Sequence, residues 1–280
     1  METYRRTVYG AALQTAQVLG VPPVIHPNTT LNEKFNINET ATLGTNEVPT
    51  MRYITIGIGG HRGNTGADGM FIIETLQHSA SDAANYRTLP FVMRPLSSDL
   101  TSAEIERYGL RRIETHNGVP YAVYYLRRLD LDGVTISLKK KVVSNGTETV
   151  TDFVPGKDVL DPAPPPTAPG ANVVDGTYLY ATAQIKIDFD AFDAQEILNA
   201  AKILYNDEKY AFISEIGFVT GVDRYLPTTG DGGTFNMKEV VAAQVFCHVS
   251  ALQPIYNQRN GFEALYEVGI SEPLMKLTGP

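Results

Sequence analysis

The sequence predicts an α+β chain that is mainly antiparallel β. It has a sandwich- or barrel-like core, an N-terminal helix, an extended arm and one well-capped internal helix. Three observations carry this. Asn117-Gly118 and Asn145-Gly146 each separate two β-branched, alternating runs, the arrangement of tight hairpin turns. Ile185, Ile187 and Phe189 alternate with Lys186, Asp188 and Asp190, the period of a half-buried strand. Residues 20–51 follow neither a helical nor a strand period, and place three prolines within six residues.

In chain order, residues 3–19 read as a helix. Tyr4, Val8, Ala12 and Leu19 fall on one face, Thr3 stands at the cap, and Gly20 with Pro22 and Pro23 ends it. The arm 20–51 is too polar to fold on its own account and is expected to lie against neighbours. Residues 52–58 form a strand entering a glycine-rich turn, 57–69, that calls for positive φ at several positions. Further strands are expected at 70–77 and 88–94, with one or two helical turns at 101–108. Two hairpins follow, 110–115 with 119–129 and 134–143 with 147–154.

The proline-rich segment 155–177 favours polyproline II and reads as an excursion between strands rather than a domain boundary. Asp193 is expected to cap the internal helix, with Glu196 completing a capping box and Phe192 and Ile197 as a staple. Ile197, Ala200, Ala201 and Leu204 give that helix one buried face. Strands at 210–219, 240–251 and 265–270 complete the list, with an exposed turn at Gly230-Asp231-Gly232-Gly233. The expected organisation is a helix (1–19), an arm (20–51) and one β-rich core (52–280) bearing the excursion.

A net charge of −8 argues against coating a polyanion or an acidic membrane surface. The single cysteine, Cys247, provides no internal disulfide. No apolar run approaches the roughly 18–20 residues that span a bilayer, and the N-terminus has no apolar signal core, so no membrane partner is expected.

The candidate chemical motifs each have a structural explanation. The glycine-rich stretch 57–66 follows a strand, but Arg62 stands where a dinucleotide loop has its third glycine, and no Gly-Lys-Ser/Thr follows. The histidines 26, 61, 78, 116 and 248 never recur at a metal-ligand spacing, and Cys247 and His248 point to opposite strand faces. Asp188, Asp190 and Asp193 resemble a calcium loop without its glycine and terminal glutamate. No catalytic, cofactor or metal residue is therefore expected. Arg111-Arg112, Arg127-Arg128 and Lys139-Lys140-Lys141 make either a positive stripe, with DNA contact left open, or a solvated, edge-protecting face. Fifteen tyrosines and no tryptophan suit subunit interfaces.

Residues 52–61, Arg-Tyr-Ile-Thr-Ile-Gly-Ile-Gly-Gly-His, the segment 96–108 leading into Leu110-Arg111-Arg112, and the helix, arm and strand opening give residues 1–130 a general likeness. This part resembles virion structural proteins of tailed bacteriophages, from neck, tail and baseplate modules. The resemblance implies a non-enzymatic subunit forming an oligomeric ring at the neck or tail, in a connector, collar, tail-completion or sheath-stabilising role. It further implies a virion location after assembly in the host cytoplasm, with copies of itself and other virion proteins as partners and no small-molecule substrate.

Two alternatives stand beside it. One is a baseplate or host- or carbohydrate-binding module with an exposed aromatic platform, and the other a hydrolase using carboxylates such as Asp130 and Asp132. The expected interface residues are Val24, Ile25, Leu31, Phe35, Ile37 and Leu43 in the arm, His61 and Arg62 in the turn, and Arg127 and Lys140 on the stripe.

Overall fold

The chain opens with a strand where the sequence period predicts a helix. The computed structural model describes residues 3–36, 43–65, 69–160, 176–257 and 259–274. Strand β1, Thr3–Arg6, lies antiparallel to a late strand, with Arg6 opposite Cys247. Helix α1, Val8–Leu19, starts only after Thr7, whose hydroxyl accepts from Gly10 N and donates to Val245 O at 2.6 Å. The cap is thus Thr7 rather than Thr3, because the first residues are held in a ladder. Gly20, at φ 64°, ends the helix as expected.

The stretch 20–51 is not a uniform arm. A 3-10 turn, Pro27–Thr29, leads to a helical turn, α2, Leu31–Lys34, capped by Thr30. Leu31, only 1 % exposed, enters the main core, and Phe35 stacks on Tyr125 at 4.1 Å. The Asn32 carboxamide donates to Val240 O and accepts from Ala243 N, at 2.7 and 2.8 Å. Those groups flank Ala242, which has φ 54° beside a register shift in its strand pair. The side chain of Asn32 therefore satisfies backbone groups that the bulge withdraws from the ladder.

The remaining elements of the first part are β2 (Thr50–Gly57), β3 (His61–Thr65), β4 (Phe71–Thr75), β5 (Thr88–Leu89), β6 (Val92–Pro95), α3 (Ser102–Ile105), β7 (Tyr108–His116) and β8 (Val119–Arg128). Asn117 and Gly118 take φ 49° and 80°, the double positive φ of the expected turn. Next come β9 (Ile136–Ser144), β10 (Thr147–Asp152), β11 (Gly176–Phe189) and α4 (Ala191–Tyr205). The chain ends in β12 (Phe212–Ile213), β13 (Glu215–Gly230), β14 (Gly233–Ser250), β15 (Gln253–Pro254) and β16 (Phe262–Leu274).

The chain folds as two compact units, Met1–Leu129 with Asp188–Phe262, and Asp130–Ile187 with Glu263–Pro280. The single core expected over 52–280 is thereby divided. In the first unit an eight-stranded sheet runs β1-β14-β13-β2-β8-β6, with β5 beside β2 and β7 beside β8. The sheet curls until β7 packs against β14. Leu31, Tyr53, Leu110, Val123, Leu126, Val219, Val240 and Val245 fill the interior with Ala200 of α4. The second unit holds a four-stranded sheet, β10-β9-β11-β16. Its β9–β10 turn carries Asn145 and Gly146 at φ 51° and 74°. The proline-rich excursion begins with a 3-10 turn, Lys157–Leu160, and residues 161–175 lie outside the described residues.

The cap of helix α4 stands three residues earlier than expected. Asp190 is the N-cap and Asp193 its capping-box partner. The chain turns directly out of β11 at Phe189, so Asp193 already sits in the first turn. Glu196 instead pairs with Arg94 at 2.7 Å.

Candidate assembly interface

Strands β3 and β4 form a two-stranded ribbon that gains no third strand among the described residues. Gly63 lies opposite Ile73, Asn64 opposite Ile72 and Thr65 opposite Phe71. Alternation sends Phe71 and Ile73 to one side and Ile72 to the other, yet they are 72, 58 and 48 % exposed. The Phe71 ring lies across Gly63, where an added Cβ would come within 2.5 Å of it. A side chain there would lift the ring off the backbone. An isolated ribbon of this kind is marginal in water, and this one carries exposed apolar side chains on both faces.

The base of the ribbon is strongly fixed. Gly60 N donates to Ser214 Oγ at 2.9 Å, Leu76 N to Gly60 O at 2.8 Å, and Ser250 Oγ to Leu76 O at 2.8 Å. Glu215 Oε1 accepts from Gly59 N and Arg87 N, and its Oε2 from Tyr86 N. His78 bridges two carboxylates, Nε2 to Glu215 Oε2 and Nδ1 to Asp82 Oδ2, both at 2.9 Å. Its ring is held between Tyr86 at 4.0 Å and His248 at 3.8 Å.

Burial would raise the Glu215 carboxyl, but the His78 bond and three backbone N–H groups outweigh it and hold it below its ordinary value. Asp82 is likewise lowered: burial opposes, and the Ser79 N–H and His78 prevail. The glycines of this turn serve close approach. A Cβ on Gly57 would lie 2.4 Å from Glu215 Oε1, and one on Gly60 2.1 Å from Ser214 O. Among the described residues of 57–69, positive φ falls on Gly69 alone, which corrects the expected left-handed turn.

The expected interface residues separate into groups. His61 and Arg62 stand on the ribbon with Phe71, Ile72 and Ile73. His61 Nε2 lies 3.1 Å from Thr75 Oγ1, and Arg62 forms an exposed pair with Glu74 at 2.7 Å. Val24 is exposed and Ile25 half-buried, following Val18, Leu19 and Val21, which are also exposed. Leu43 is half-buried, and Ile37 lies outside the described residues. Leu31 and Phe35 are corrected: the chain's own core uses both.

Arg127 is corrected as well. It pairs with the fully buried Asp193 at 2.8 Å and donates to Asp188 O, so it braces the start of α4. Lys140 is exposed on β9, in the other unit. Most of the positive stripe is paired with acids, while Arg112 donates to Asn36 O and Lys140 stays exposed. Arg111 pairs with Asp99, Arg128 with Asp223, Lys139 with Glu267 and Lys141 with Glu148.

Burial pushes the Cys247 thiol up to about 12 and His248 down to about 4. Asp130 accepts from Asp132 N in an exposed turn. A surface cavity of about 430 Å³ lies between Leu96–Ile105 and the β13–β14 turn. Its Asp99 is already held by Arg111 and Tyr124. Among the described residues, no group of His, Cys, Asp and Glu is placed to hold a metal, and no helix is long and apolar enough to cross a membrane.

The sequence pattern predicts only an ordinary strand over 70–77. The available signal was the unbroken run Phe71-Ile72-Ile73, apolar on both strand faces beside a polar partner strand. The meeting of Glu215 with His78 has no local signal, since it spans 137 positions, whereas Asp82 lies only four positions from His78. No curated protein and no solved structure matches the chain significantly. A family model described as "Family of unknown function (DUF7208)" matches residues 1–279, and the chain belongs to that family.

Proposed function

We propose that the chain is a non-enzymatic structural subunit that assembles with copies of itself into a ring, at the neck or tail of a tailed-phage virion. The observation that carries the assembly is the ribbon, with Phe71, Ile72 and Ile73 in solvent on a base fixed by Glu215 and His78. Fully burying such a side chain contributes about 1.5–3 kcal/mol. Covering these three half- to three-quarter-exposed residues therefore contributes on the order of 5 kcal/mol before the cost of association. A rigid base lowers that cost, since the ribbon is ordered before it binds. The placement in a virion rests on the likeness of residues 1–130 to phage structural proteins, and the inert cysteine and histidine support a role without catalysis.

Sedimentation velocity on the purified full chain tests the assembly. The expected result is concentration-dependent oligomers that dissociate in a Phe71→Ser/Ile73→Ser variant of unchanged circular dichroism. A wild-type chain that stays monomeric at about 100 μM, well above a stable assembly's Kd, overturns it. Electron microscopy of antibody-labelled particles tests the setting, which fails if the label is absent from neck and tail.

A further inference from the structure

We infer that β4 adds its open edge to the open edge of β1 in a second copy, joining copies head to tail. This rests on the self-assembly reading and names its contact. Among the described residues β4 pairs with β3 alone, and β1 with β14 alone. Exposed strand edges are ordinarily guarded by charged side chains, especially lysine, by proline or by bulges. The sequence of β4, Phe71-Ile72-Ile73-Glu74-Thr75, has no lysine, proline or bulge and one charge, Glu74, and two of its five residues are isoleucine.

Three of the other edges suit this strand poorly. Strand β10 presents Glu148 and Asp152, and β16 presents Glu263 and Glu267, all of the same sign as Glu74. Strand β6 ends in Pro95, and its Arg94 is engaged by Glu196. An antiparallel β4–β4 contact would bring two Glu74 side chains to one face. Strand β1 matches instead. It is four residues long against five, it carries Arg5 and Arg6, and with Arg5 facing Glu74 it sets Tyr4, 41 % exposed, on the face of Phe71 and Ile73. Arg5 is exposed and makes no ion pair among the described residues. Glu74 changes partner at little cost, because its bond to Arg62 is an exposed pair.

Strand addition supplies main-chain hydrogen bonds for affinity and alternate side chains for specificity. Two different edges, one on each partner, make the contact heterologous, and repeating a heterologous contact produces a ring when the rotation closes.

The test uses two full-length variants, Arg5→Cys and Glu74→Cys, purified separately and then mixed under mild oxidation. Cys247 is buried and contributes no background. The expected product is a disulfide-linked pair that forms in the mixture and in neither sample alone. A Glu74→Cys homodimer as the main product overturns the proposal in favour of a two-fold ribbon contact. Wild-type oligomers with no cross-link in the mixture also overturn it while leaving self-assembly standing. A monomeric wild-type chain removes both. As a second measurement, Arg5→Glu is expected to weaken association about tenfold with an unchanged melting curve, because it sets two like charges together at the contact. Unchanged association would count against the β1 edge.

Discussion

His78 Nε2 lies 2.9 Å from Glu215 Oε2, with both side chains sealed from solvent and 137 positions apart in the chain. The pair joins the segment after the ribbon to the first residue of β13. Glu215 also gathers backbone N–H groups from Gly59, Tyr86 and Arg87, so one carboxylate closes both ends of the ribbon's base.

Replacing Glu215 by Ala is expected to lower stability by about 3 kcal/mol, the cost of leaving several buried donors without an acceptor. Three backbone donors and His78 would lose their acceptor together. Urea unfolding measures the loss, and hydrogen exchange should report it first at the amides of Gly59, Tyr86 and Arg87. A change below about 1 kcal/mol would mean that water replaces the carboxylate and the base is not closed.

Acid should act on the same place. The folded-state values of Glu215 and Asp82 are depressed. Their contribution is therefore present above the unfolded carboxylate value, near about 4, and lost as pH falls through the folded values. Stability measured between about pH 6 and pH 3 should drop, and the drop should be shallower in Glu215→Ala. Equal slopes in the two proteins would refute the assignment.

Glu239 has the opposite sign. It is buried on β14, and burial raises it to about 7, against partial relief from Arg111. Folding favours its protonated form, so its unfavourable contribution grows as pH rises from 4.5 to about 7 and is constant above. Glu239→Gln should raise stability by about 2–3 kcal/mol at alkaline pH and change little in acid. Thermal melts at the two pH values decide this, and a destabilised variant at high pH would contradict it.

Leu31→Ala should cost about 2–5 kcal/mol, as for other fully buried leucines. The loss should be independent of protein concentration, because Leu31 packs inside its own chain. Asn32→Ala should add about 1–3 kcal/mol by orphaning Val240 O and Ala243 N. A concentration-dependent effect at Leu31 would return it to the interface.

Where geometry is local, the sequence was sufficient. Asn117-Gly118 and Asn145-Gly146 force their turns because both residues take positive φ, and neighbours in the chain determine that. The alternation of Ile185, Ile187 and Phe189 likewise identified buried positions. The cap of α4 was misplaced because Asp190 and Asp193 are both competent, and only the exit of β11 selects between them. Residues 3–6 carry an apolar spacing that suits a helix end as well as a short strand, and the ladder partner that decides for the strand lies 247 residues away at Ser250.

By itself, the sequence determined the β-rich class, the hairpins and the absence of a familiar catalytic spacing, because those properties depend on short-range periods and turn chemistry. Only the tertiary structure decided which unguarded apolar residues remain outside. It drew Leu31 and Phe35 inward by pairing Asn32 with a bulge, paired most of the basic stripe with acids, Arg127 with the remote Asp193 among them, and left Phe71, Ile72 and Ile73 in solvent. Exposure is a property of what lies opposite a side chain, and these partners come from remote parts of the chain.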